Sequence, residues 1–146
     1  MPFLLPRSLV CTRPSTQGHI KAAGLTGSIY YWGQGVAVDY KRAMAAYKIA
    51  AEGGDAHCQN ELGYMLQDGR GIDTPDYKQA LVWLKKAAAQ DHPTAVGQLG
   101  TMYGEGKGVT PSYRRARELY QRLNELGHPE AVKAMQNLTR NIQMVS

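Results

Sequence analysis

The sequence predicts an all-α solenoid of helix–turn–helix repeats, and three observations carry that prediction. The stretch from Glu61 to Ala88, ELGYMLQDGRGIDTPDYKQALVWLKKAA, returns about 37 residues later as QLGTMYGEGKGVTPSYRRARELY and has an echo about 36 residues earlier in YYWGQGVAVDYKRAMAAYKIAA. Glycines recur in three columns, Gly27, Gly63 and Gly100, then Gly33, Gly69 and Gly106, then Gly35, Gly71 and Gly108. Between these columns apolar residues recur at spacings of 3 and 4, the period of a helix with one buried face. A period of this length marks a stacked array in which each unit buries its apolar stripe against its neighbours.

Composition agrees with a folded chain of one domain: 146 residues, 43% hydrophobic and 20% charged. The net charge of +5 is unevenly spread. Residues 1–38 hold Arg7, Arg13 and Lys21 and no acid, whereas the rest balances 14 basic against 12 acidic residues. Charge alone therefore gives no argument for nucleic acid over the body of the chain. No apolar run approaches the ~20 residues of a membrane span. The two cysteines, Cys11 and Cys58, form neither a disulfide framework nor a CxxC metal pair, which points to a reducing compartment, the cytoplasm.

In chain order, residues 1–18 read as a leader. Pro2, Pro6 and Pro14 interrupt its apolar residues, so a flexible tail without a useful helix is expected. Its apolar stretch is too short for a secretory signal, and its arginines without acids leave organelle targeting as the alternative. Three repeats follow, at about 19–54, 55–91 and 92–128, each with a helix A and a helix B. The first helix A spans about 19–31 and carries Thr26 where Leu62 and Leu99 stand in the later units. Either this helix is a degenerate cap or the chain is a fragment of a longer array.

The second helix A is expected over about 57–67, with Cys58, Leu62, Met65 and Leu66 on its inner face. Ala95, Leu99, Met102 and Tyr103 repeat that face, and Ala131, Met135 and Leu138 begin it again. Helix B of the second unit is expected over about 77–90, burying Tyr77, Ala80, Leu81, Leu84, Ala87 and Ala88. Asp39, Asp76 and Ser112 precede the three B helices, where a short side-chain oxygen accepts the first free backbone N–H groups. Gly54 and Gly127 suit the left-handed turn that ends helix B. Pro93 and Pro129 suit a helix start. A last helix over about 129–143, within a C-terminal segment 129–146, is expected to cover the open end.

The pattern A-x-x-x-L-G-x-x-Y-x-x-G-x-G-V, a short loop, then D-Y-x-x-A-x-x-W-x-x-x-A-A-x-x-G-H, resembles the Sel-1-like repeat, a subclass of the tetratricopeptide-like helical repeats. Leu62-Gly63, Gly69, Gly71-Ile72, Asp76-Tyr77, Ala80, Trp83 and Ala87-Ala88 carry it, and Leu99-Gly100, Tyr103, Gly106, Gly108-Val109, Tyr113, Ala116 and Gly127-His128-Pro129 repeat it. The likeness covers about residues 27–135. It implies a right-handed α-solenoid that serves as a non-catalytic adaptor or scaffold. Some members carry a cysteine pair in every repeat; here Cys58 stands alone among the repeats.

Catalytic and cofactor chemistry finds no footing in the residues. Gly104-Glu105-Gly106-Lys107-Gly108 invites a phosphate-loop reading, but it follows a helix and no Ser or Thr follows the lysine. His92 and His128 occupy equivalent repeat boundaries, without the partners of a metal site. No nucleophile has a base at motif spacing, so a hydrolase is the weakest reading, and no cofactor is called for. Trp83, Tyr77 and Tyr113 hold fixed places on the helix B stripe, which favours core packing over base stacking. Arg114, Arg115, Arg117 and Arg122 form a basic cluster on the third helix B, the basis of a second reading as an RNA or anionic-partner site.

The leading expectation is a protein or peptide bound on the concave surface lined by the A helices. Residues left off the A-helix core stripe are the candidates: Asn60, Glu61, Tyr64, Gln67, Gln98 and Thr101, with His57, Thr94, Lys133 and Asn137 continuing the row. One aromatic among amides and hydroxyls matches the donors and acceptors of an extended peptide backbone.

Overall fold

The computed structural model describes residues 14–145, and within them every regular element is a helix. In chain order these are α1 (Pro14–Trp32), α2 (Tyr40–Glu52), α3 (Ala56–Asp68), α4 (Tyr77–Ala89), α5 (Pro93–Glu105), α6 (Tyr113–Glu125) and α7 (Ala131–Val145). Helices α1, α3, α5 and α7 are the A helices; α2, α4 and α6 are the B helices. Each packs most closely on its sequence neighbours, α1 on α2, α2 on α3 and so on to α7, which makes the chain a solenoid.

The N-terminal boundary corrects the expected leader. Helix α1 begins at Pro14, so residues 14–18 are helical. Proline's fixed φ and missing N–H suit the first turn, where no intrahelical partner exists for that N–H. Cys11 and the rest of residues 1–13, including the targeting alternative, lie outside the described residues.

The caps follow the sequence closely. Asp39, Asp76 and Ser112 accept the N–H groups of Arg42, Gln79 and Arg115 at 3.1, 3.0 and 3.2 Å. Asp55 adds a fourth cap, accepting from the Cys58 N–H at 2.8 Å. At the ends of the B helices Gly54 and Gly127 have φ of +100° and +78°, and Asp91 fills the same place at +60°. A short polar side chain tolerates this region where most residues do not.

Two apolar clusters form one stripe through the array. Tyr47, Ala50, Leu62, Met65 and Trp83 anchor the first; Leu84, Val96, Leu99, Met102, Tyr120 and Leu138 anchor the second. Leu66 packs against both. Mid-helix glycines let the helices of each pair approach. A Cβ at Gly27, Gly63 or Gly100 would lie 2.6 Å from the side chain of Tyr47, Leu84 or Tyr120 respectively. The loop glycines serve the next joint along. Gly71 and Gly108 sit at φ +90° and +72°, and a Cβ there would come within 2.7 and 2.8 Å of Tyr40 and Tyr77. Each loop thus rests on the first residue of the preceding helix B.

That contact explains a departure in the aromatic column. Tyr77 and Tyr113 were expected in the core, yet with Tyr40 they remain 36–37% exposed. As the first residues of the B helices they lie at the edge of the stripe, and two of their rings carry cations. Arg70 lies 5.6 Å from the Tyr40 ring centre and Lys107 lies 5.9 Å from that of Tyr77. Trp83 is buried as expected.

The two ends differ. Ala22, Thr26 and Ile29 on α1 are exposed, whereas their counterparts Cys58, Leu62 and Met65 are buried against the preceding helix B. At the other end α7 buries Ala131 and Leu138 against the second cluster. Gln136 occupies the place of Gly27, Gly63 and Gly100, where the array's close helix contact leaves no room for a side chain.

Candidate functional site

The candidate residues lie on the side of the array formed by the A helices. Every third or fourth residue of an A helix returns to one face, and the core takes one such row. The next row faces outward from α3, α5 and α7. Tyr64, Gln98 and Thr101 line a cavity of about 400 Å³ there, together with Thr94, Lys133 and Asn137. Its floor comes from Gly97, Tyr120, Leu123 and Ala134.

Hydrogen bonds join this row across helices. The Tyr64 hydroxyl donates to Gln98 Oε1 at 3.3 Å, and Gln98 Nε2 donates to Gln67 Oε1 at 2.7 Å. These two contacts tie α3 to α5. Thr101 shares a hydrogen bond with the Tyr120 hydroxyl at 3.0 Å and donates to the Gly97 carbonyl at 3.2 Å. Burial, then the charges of Glu61 and Asp68, push the Tyr64 phenol above its ordinary range. Tyr64 is therefore a neutral hydrogen-bonding group at physiological pH.

Asn60 departs from the expected row. It is 2% exposed and donates to Glu61 Oε1 at 3.3 Å rather than facing outward. Its counterparts in the other units are Gly24 and Gly97, where a Cβ would come 3.0 Å from Cys58 and 3.2 Å from Leu123. The position faces an adjacent helix, so its side chain is enclosed. Helical spacing alone does not separate this flank from the open face.

His57 and His92 meet at the joint between the second and third units, with ring centres 6.0 Å apart. His92 Nδ1 is buried without a hydrogen-bond partner. Burial first, and His57 second, hold His92 below its ordinary range, against the opposing charges of Glu61 and Asp55. Among the described residues no group of three His, Cys, Asp or Glu side chains converges to hold a metal ion.

Two joints are secured by side chains that the repeat pattern does not assign to them: Gln59 and Gln90, which it leaves out, and Arg122, which it places in the basic cluster. Gln59, buried in α3, donates to the Ala51 carbonyl at 3.1 Å, and Gln90 donates to both Gln59 and the Gly54 carbonyl. Arg122 donates to the Ala88 carbonyl at 2.8 Å and pairs with the Asp91 carboxylate. The arginine cluster is consequently divided in its duties. Arg122 joins the second and third units, Arg114 pairs with Glu118 at 3.3 Å, and Arg115 donates to the Tyr103 hydroxyl at 3.3 Å. The signal in the sequence was alternation: Tyr103 with Arg115 repeats Tyr30 with Arg42, and the second unit has Leu66 with Gln79 instead.

The family model of the Sel1 repeat matches this chain three times, at residues 20–55, 56–92 and 94–128. The chain belongs to the Sel1 repeat family. Solved Sel1-type structures superpose on it. A Sel1 repeat protein from Oxalobacter formigenes matches with a TM-score of 0.77 and 32% identity, over 88% of this chain and 52% of the other. A protective antigen from uropathogenic Escherichia coli, c5321, matches with a TM-score of 0.75 and 36% identity, over 79% of this chain and 24% of the other. Cysteine-rich protein B of Helicobacter pylori shares the fold, at 19% identity and a TM-score of 0.66 over 80% of this chain and 89% of the other.

Among curated proteins, the Arabidopsis thaliana ERAD-associated E3 ubiquitin-protein ligase component HRD3B is 42% identical over 60 residues, and HRD3A matches equally well. Those 60 residues are 41% of this chain and only about a tenth of the plant proteins. Sel1 repeats typically mediate protein–protein interaction. None of the described Sel1 helices is long and apolar enough to cross a membrane.

Proposed function

We propose that this chain is a non-catalytic adaptor that holds an extended segment of a partner protein along the concave face of its A helices. One observation carries the reading: the cavity of about 400 Å³ that α3, α5 and α7 line together with Tyr64, Thr94, Gln98, Thr101, Lys133 and Asn137. Consecutive units offer amides and hydroxyls in a row, which suits the evenly spaced N–H and C=O groups of an extended chain. Tyr64 supplies flat apolar area at low conformational cost. Glu61 and Gln67 extend the row toward the first joint. Asn60 contributes from behind by donating to Glu61.

The test is capture of proteins from a lysate by the tagged chain, identified by mass spectrometry. Tyr64→Ala combined with Gln67→Ala should leave the helical circular dichroism signal intact and remove the specifically captured proteins. Lys133→Glu, at the far wall of the cavity, should weaken the same capture. Unchanged capture by both variants would exclude the A-helix face as the site.

A further inference from the structure

A second cavity, of about 690 Å³, opens on the opposite side of the array, between α4 and α6 with α5 beneath. Its rim carries Lys85, Arg114, Arg115 and Arg122, and Glu118 is the one acid in its lining. Ala88, Ala89, Leu99 and Leu119 give it an apolar floor. We propose that this groove binds a short peptide segment in which carboxylate side chains alternate with apolar ones. The groove is a different surface from the A-helix face, and the two readings fail independently.

Charge complementarity and shape argue for that occupant. Arg122 is held by Asp91 and the Ala88 carbonyl, so it forms a wall. Lys85 and Arg115 are the recognising pair. Lys85 Nζ lies 5.9 Å from the Tyr103 ring centre and the Arg115 guanidinium 5.4 Å from it, and Arg115 also holds the Tyr103 hydroxyl. Two cations are thereby gathered beside one phenol. Burial alone would raise that phenol, but Lys85 and Arg115 outweigh it and lower it. Arg114 is 84% exposed in a surface pair with Glu118, a contact that a ligand carboxylate readily replaces. Ser112 and the N-terminal end of α6 add the positive end of a helix dipole to the same groove.

The groove is a departure of the third unit from the second. Leu119, a smaller side chain, stands in the place of Trp83, whose indole is buried in the first cluster. Tyr103 and Arg115 replace Leu66 and Gln79, which brings the charge. RNA fits less well than a peptide. Base recognition requires an accessible aromatic face, and Tyr103 is 5% exposed. The apolar floor instead matches aliphatic side chains.

Fluorescence anisotropy of three labelled probes at low ionic strength tests this: an octapeptide of alternating Leu and Glu, its Leu–Gln counterpart, and octauridine. The Leu–Glu peptide should bind and the other two should bind at least about tenfold more weakly. Lys85→Ala and Arg115→Ala should each weaken it by about tenfold. Glu118→Gln, which removes the competing acid, should tighten it about threefold. Tyr64→Ala with Gln67→Ala should leave it unchanged. Circular dichroism establishes that each variant is folded. Equal binding of the Leu–Gln peptide or of octauridine, no binding of the Leu–Glu peptide, or indifference to both cation removals would overturn the proposal.

Discussion

The glycine columns and the histidine joint show most clearly what single residues do. Gly100 lies mid-helix, where glycine ordinarily costs stability relative to alanine, but a Cβ there would sit 2.6 Å from the Tyr120 ring. Gly100→Ala should therefore destabilise by about 1–3 kcal/mol instead of stabilising, read from the urea unfolding midpoint. A gain in stability would show that the ring moves aside freely. His92 predicts a pH dependence. Its folded pKa lies below the ordinary 6.5, so the unfolded chain binds the proton more readily. Stability from this group is present above about pH 6.5 and falls as pH drops from there through the lower folded value. Urea midpoints between pH 5 and 8 should show that loss in the wild type, and His92→Gln should flatten it.

At the scale of the helix, packing outweighs propensity. Leu62 and Leu99 are 2% and 3% exposed, each in an A helix held between two B helices. Leu62→Ala or Leu99→Ala should cost about 2–5 kcal/mol of unfolding free energy, since neither pocket can collapse without shifting a whole helix. A cost below about 0.5 kcal/mol would place these residues on the wrong face. The helix boundaries were largely legible because each has a local cause. Asp39, Asp76 and Ser112 cap, and Gly54 and Gly127 turn. The start of α1 at Pro14 is not legible in the sequence, because proline in a first turn has the same local signature as proline that breaks a helix. The burial of Asn60 and the exposure of Tyr77 escape the sequence for a related reason. Periodicity identifies a helix's inner face, and the flanks of that face belong to neighbours that the pattern does not name.

For the whole molecule, stability is a chain of nearest-neighbour contacts, because each helix packs mainly on the helices before and after it. Hydrogen exchange should be slowest in α3, α4 and α5, which have at least two helices stacked before and after them, and faster in α1 and α7. Uniform protection across the seven helices of the described residues would instead indicate one cooperative unit. The joints are not equivalent. Gln59 and Gln90 secure the first and Arg122 the second, so variants there should uncouple adjacent units before they melt any one helix.

By itself the sequence determined the solenoid, its three repeats and most helix ends, because those depend on local conformational preference and on a periodic apolar pattern repeated in register. It also set Tyr64, Gln98 and Thr101 apart from the core stripe, and these three line one cavity on the A-helix side. Only the tertiary structure decided that Asn60 is enclosed, that Arg122 serves a joint, and that Lys85 meets Arg115 over Tyr103. The reason is geometric. Residues about 10 to 40 apart in the chain become neighbours only when the helices and repeats stack, and the separation set by that stacking determines which side chains stay free.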